Sequence, residues 1–199
     1  MRNALLAAPL PVALALALTL SAALGLAACS GKQSPAAETA SETPAAAVTP
    51  ASATLPEVLD DADGMQTMAE ALKTTGIEGV FNDKGSYTLL APEDDAFDAL
   101  GDKGKALIEA NDHAALAALV RNHMLTGYMT PEDIAAAIAA SKTGKVTMPT
   151  LGGGTVTFSK TGEAITVTAD DGSQATIEDS PVAGGSSIAI PVSGVLRKI

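Results

Sequence analysis

The hydrophobic period of the chain changes once, near Gly144, and that change limits the fold more than any other feature. Before it, apolar residues recur at intervals of three and four, the spacing of an amphipathic helix. Met65, Met68, Ala69 and Leu72 share one such face, and Leu116, Leu119, Val120, His123 and Met124 share another. After it, Val156 and Phe158, Ile165 and Val167, and Ala175 and Ile177 alternate with polar residues. Turn signals at Lys160-Thr161-Gly162-Glu163 and Asp170-Asp171-Gly172-Ser173 separate these runs. A chain with helices first and antiparallel strands later belongs to the α+β class.

Finer expectations follow from local signals. Leu55–Leu59 and Met65–Leu72 read as two short helices. Asp60, Asp61, Asp63 and Gly64 between them lack the alternating ligands and closing Glu of a calcium loop, so a solvated turn with a helix cap is expected. Ser86–Ala91, between Asp83-Lys84-Gly85 and Pro92, reads as a strand. Glu93, Asp94 and Asp95 then open a helix carrying Ala96, Phe97 and Leu100, acids first as the helix dipole favours. The clearest helix spans residues 112–125, with Gly127 placed to stop it. Thr130-Pro131-Glu132-Asp133 caps and starts another through Ile134 and Ile138. Gly152-Gly153-Gly154 reads as a flexible turn before a strand at Thr155.

The N-terminus carries a different message. Arg2 precedes an uncharged apolar run from Ala4 to Ala28, the layout of a secretory signal peptide. The run ends in Leu26-Ala27-Ala28-Cys29, which resembles the bacterial lipobox, whose cysteine receives diacylglycerol after cleavage. The expectation is a signal peptide over 1–28, a lipidated Cys29 with an Ala/Ser/Thr/Pro-rich disordered tether over 29–53, and one domain over 54–199. Ser30 is not the Asp that retains lipoproteins at the inner membrane of enteric bacteria, so a cell-envelope location at the outer membrane, facing periplasm or exterior, is expected. Cys29 is the sole cysteine, which leaves no thiol for a disulfide, a thiolate metal site or a nucleophile. The net charge of −11 becomes −12 once Arg2 is removed. No nucleic-acid partner is expected of so acidic a chain, and the membrane must be reached through lipid on Cys29.

Within the domain, Thr88-Leu89-Leu90-Ala91-Pro92-Glu93-Asp94-Asp95-Ala96-Phe97 resembles the first signature of the fasciclin domain. Val120–Gly127, around Asn122 and His123, resembles the second. The family-motif positions are therefore Thr88, Ala91, Pro92, Phe97, Asn122, His123 and Gly127. The resemblance implies a single fasciclin-like domain, a twisted antiparallel β-wedge with packed helices, and non-catalytic binding in adhesion. Asn122 stands where the family carries Tyr. Near the C-terminus, Ser186–Leu196 keeps the apolar pattern of the family but replaces its Asn, Gly, His and Asp. Pro191 there has no backbone donor and is expected at an edge or bulge.

No catalytic constellation emerges. His123, on a buried helix face, is expected to bond a backbone carbonyl or the strand start near Thr88, and His113 to be exposed. Two His without Cys make a poor zinc set, no Gly-x-Ser-x-Gly elbow occurs, and Gly104-Lys105 lacks the rest of a phosphate loop. Neither cofactor nor metal is expected. The functional expectation is a lipid-anchored envelope module contacting a protein or matrix partner. A carrier or sensor of a small apolar ligand is the alternative.

Overall fold

The computed structural model describes residues 53–197 except 83, 110, 111 and 179. The signal run, Cys29 and the tether through residue 52 lie outside the described residues. Six α-helices are described: α1 (Leu55–Asp60), α2 (Gln66–Thr75), α3 (Asp94–Asp98), α4 (Asp102–Glu109), α5 (His113–Asn122) and α6 (Pro131–Ala140). A 3₁₀ segment, Ile77–Asn82, follows α2. The strands are β1 (Tyr87–Pro92), β2 (Met124–Thr126), β3 (Lys145–Pro149), β4 (Thr155–Thr161), β5 (Ala164–Ala169), β6 (Gln174–Thr176), β7 (Val182–Gly184) and β8 (Ser187–Val192).

They form two four-stranded sheets, ordered β2-β1-β8-β7 and β3-β4-β5-β6. The second is a plain antiparallel meander, with Phe158 opposite Val167 and Val167 opposite Ala175. Its strands alternate buried and exposed residues because one face meets the core and the other water. The first sheet reads differently. β1 is buried from Thr88 onward and β8 throughout, the mark of strands covered on both faces. Leu89, Ala91 and Ala189 join a core with α1, α2, α3 and α5, while Leu90, Ile190 and Val192 join a second core with α6 and the meander. One buried sheet thus separates two apolar cores, and alternation along β1 assigns neighbours to opposite sides.

Several expectations need correction. The α+β expectation with dominant antiparallel strands holds, and one pair departs from it: β1 and β8 pair in parallel, Thr88 with Ile188 through Pro92 with Val192. A parallel pair requires a long crossover, supplied here by α3–α6 and the whole meander. The helix expected over 112–125 stops at Asn122, because Met124 and Leu125 turn into β2 beside β1. Gly127 therefore follows a strand, where its φ of +100° suits glycine. Pro191 lies in the interior strand β8, not an edge strand. It is tolerated because the β7 ladder ends at Ala189, leaving Pro191 to accept from Glu178 N–H at 2.9 Å where only the Ile177–Val192 bridge continues.

The Asp60–Gly64 turn does not cap α2 with a side chain, since the N-cap is Met65. The acceptor comes from a distant residue. Asp94 Oδ1 takes the Thr67 N–H at 2.8 Å, while Asp94 N–H donates to the Gly64 carbonyl at 2.8 Å. One acid in the first turn of α3 therefore caps the start of α2 and ties the turn to α3. By contrast α6 carries its own capping box, Thr130 and Asp133 bonding reciprocally.

Candidate functional site

Four of the seven family-motif positions converge where α5 ends, β2 begins and the C-terminal segment returns. His123 is fully buried at the cap of α5. Its Nδ1 lies 2.8 Å from the Leu119 carbonyl, and its Nε2 lies 2.9 Å from the backbone nitrogen of Leu196. A carbonyl can only accept and an amide N–H can only donate, so Nδ1 carries the proton and Nε2 is the acceptor. The first contact answers the carbonyl expected for this ring; the second goes to Leu196 and not to Thr88. Burial lowers its pKa from 6.5 to about 4, opposed by the bond to Leu119. At neutral pH the ring is a sealed, uncharged latch with both nitrogens engaged, which leaves no site for a substrate proton.

Thr88, also fully buried, organises the next segment. Its hydroxyl donates to the Gly127 carbonyl at 2.7 Å and accepts from Met129 N–H at 3.0 Å. Gly127 N–H in turn donates to the Ser86 carbonyl at 2.8 Å. These bonds bracket Tyr128, which is 46 % exposed and is the exposed large apolar side chain among the described residues. Sequence reasoning missed Tyr128, because nothing in its spacing separates an exposed aromatic from a buried one.

Asn122 is half-buried, with its side chain over the β3–β4 turn. A Cβ on Gly152 would collide with Asn122 Oδ1, and Gly152 N–H donates to the Arg121 carbonyl at 3.0 Å. The glycine run is thus a docked turn as well as a change of direction. Ala91, Pro92 and Phe97 stand apart. Ala91 and Phe97 are buried in the helix-side core, and Pro92 ends β1 opposite Val192. His113 is exposed at the start of α5. Among the described residues no three His, Cys, Asp or Glu side chains converge as a metal set, and no helix is long and apolar enough to cross a membrane.

The fold, the sealed histidine and the motif geometry describe a fasciclin-type module. The sequence model of the Fasciclin domain matches residues 63–196, well over half of the chain, and the chain belongs to that family. Transforming growth factor-beta-induced protein ig-h3 of the pig, Sus scrofa, is 27 % identical over 113 residues, which is 57 % of this chain and 15 % of that protein. A solved fasciclin domain pair from the insect cell adhesion molecule Fasciclin I superposes with a TM-score of 0.63 at 13 % identity, covering 74 % of this chain and 52 % of that one. The chain therefore spans a small part of the curated relative and about half of the solved pair. Fasciclin domains are associated with cell adhesion and are in general non-enzymatic.

Proposed function

We propose that this protein is a non-catalytic adhesion module of the cell envelope, cleaved before Cys29, lipidated there, and held off the membrane by the segment through residue 53. The domain contacts a protein or matrix partner through the Gly127–Thr130 segment. The observation that carries this reading is the presentation of Tyr128: an exposed aromatic on a backbone fixed at both ends by the buried Thr88 hydroxyl. A rigid aromatic anchor gives contact area with little ordering cost, the usual chemistry of a binding hot spot. Membership of a family associated with adhesion points the same way. The sealed state of His123 supports a structural role for that residue.

The carrier reading is weaker. A groove of about 320 Å³ lies beside Pro131, Ile165 and Ile177, but Glu163 and Glu178 border it, a poor lining for an apolar ligand.

A photo-crosslinking amino acid at position 128, in cells of the protein's own host, should recover a discrete envelope or matrix partner. The same group at Thr157, on the meander, should not. Equal recovery from both positions, or none from position 128, would refute contact through this segment.

A further inference from the structure

We propose that the groove where β6 leaves β5, beside the start of α6, receives an arginine side chain of the protein partner. The groove holds about 320 Å³, at the lower end of the range for ligand pockets. Its apolar lining comes from Pro131, Ala164, Ile165 and Ile177, and its carboxylates from Glu163 and Glu178.

The groove exists because a ladder ends there. β5 and β6 pair from Thr168 with Gln174 to Thr166 with Thr176, and Ile177 N–H then donates to the Ile165 carbonyl at 2.9 Å. Beyond that bond the chain turns away, as Ile177 bridges Val192 and Glu178 N–H donates to the Pro191 carbonyl at 2.9 Å. Ala164, at the start of β5, is left without a β6 partner. Both acids stand on fixed backbone. Glu178 is held by its bond to Pro191, and Glu163 sits in the tight turn closed by the Thr161–Ala164 pair, where Gly162 has a φ of +67°. A preorganised pair of charges loses little freedom when a ligand arrives.

These two carboxylates are unspent. Glu57 and Asp133 serve capping boxes and Asp94 caps α2, whereas among the described residues neither Glu163 nor Glu178 makes a side-chain hydrogen bond or an ion pair. No Lys or Arg lines the groove, and Lys160, opposite Ile165 on β4, is paired with neither acid. Two carboxylates beside apolar side chains repel anions and suit a cation on an apolar stem. Arginine meets that description: its methylenes cover isoleucine surface, and its weakly hydrated, planar guanidinium offers five donors to carboxylate oxygens. A net charge of −11 draws basic surfaces toward the domain. That the arginine belongs to a protein partner rests on the contact proposed above through Gly127–Thr130. Pro131 follows that segment directly, so its Cα lies at most about 11 Å from that of Tyr128, and one interface of ordinary size covers both.

The test is a titration of the ¹⁵N-labelled full chain, in detergent micelles, with the peptide Ac-Ala-Arg-Ala-NH₂, read by amide chemical shifts. Saturable shifts centred on Ala164, Ile165 and Ile177 are expected, with a Kd of about 10⁻³ M. A citrulline peptide, which keeps the shape and loses the charge, should bind about tenfold more weakly or not at all. The Glu163→Gln/Glu178→Gln double variant should weaken the arginine peptide as much, while Glu70→Gln, exposed on α2, should leave it unchanged. Circular dichroism confirms that the variants fold. Shifts absent at 10 mM peptide, matched by citrulline, or undiminished in the double variant would overturn the arginine site. In cells, the double variant with the photo-crosslinker at position 128 should lose the partner. Peptide binding with no partner recovered at position 128 in the parent would refute the Gly127–Thr130 contact, and the partner assignment with it, while the groove's chemistry stood. A partner recovered equally by parent and double variant would refute the groove's part in the interface and leave that contact intact.

Discussion

Replacing His123 with Ala tests the latch quantitatively. At pH 7 the substitution orphans the Leu119 carbonyl and the Leu196 N–H, both held by the buried ring. Each unsatisfied buried group costs about 1–3 kcal/mol, and the vacated ring volume adds to this, so a loss of roughly 4 kcal/mol is expected. For a domain of this size that lowers the melting temperature by about 10 °C. The pH dependence makes the prediction sharper. The unfolded chain protonates His123 near pH 6.5, while the folded state keeps it neutral down to about 4. The unfolded state therefore binds the extra proton between these values, and stability present above pH 6.5 is lost as pH falls toward 4. Linkage puts that loss at about 2 kcal/mol at pH 5 and about 3 kcal/mol at pH 4. The His123→Ala variant lacks this contribution, so the gap between the two proteins should shrink from roughly 4 kcal/mol at pH 7 to about 2 at pH 5 and about 1 at pH 4. Urea denaturation followed by far-ultraviolet circular dichroism at each pH reads the gap directly, and the carboxylates common to both proteins cancel. A gap that stays constant from pH 7 to pH 4 would refute the desolvated, neutral latch.

Four further outcomes follow from particular contacts. Gly184→Ala should destabilise by about 2 kcal/mol or more, because the new Cβ would lie 2.6 Å from the Leu55 Cα on backbone that cannot move away. Gly152→Ala meets a side chain instead, so a double-mutant cycle with Asn122→Ala should recover much of its cost; additive melting temperatures would contradict the contact. Asp94→Ala should lose about 1 kcal/mol through the uncapped start of α2 and speed amide exchange at Thr67; unaltered exchange there would exclude the cap. Thr88→Val keeps the volume but removes the hydroxyl, so hydrogen exchange at Met129 should rise while the domain stays folded, and protection equal to the parent would show that another group holds the segment.

Local rules carried much of this fold. The period change near Gly144 separates helices from meander, and the Thr130-Pro131 start of α6 is set by residues adjacent in sequence. What escaped local reading was tertiary. The cap of α2 comes from Asp94, 27 residues from Thr67, and no nearby residue announces it. Met124 and Leu125 continue the apolar stripe of α5, yet pairing with β1 outweighs helical continuity and turns them into a strand. β1 and β8 are buried on both faces, so they lose the alternation that would have revealed their register, and the parallel pairing of Leu90 with Ile190 depends on a crossover of most of the domain. The His123 ring had a legible burial and a legible carbonyl partner within its own helix. Its second partner, Leu196, is 73 residues away. Tyr128 and the unpartnered hydroxyl of Thr150 are products of packing, and neither leaves a mark on sequence spacing.

Attachment of the host's cells to a surface is the most direct measure of a lipid-held adhesion module. Deleting the gene should reduce attachment, the parent chain should restore it, and Cys29→Ser, with its domain folded as in the parent, should be secreted into the soluble fraction and fail to restore it. A deletion strain that attaches like its parent, or full rescue by the unanchored protein, would contradict the account.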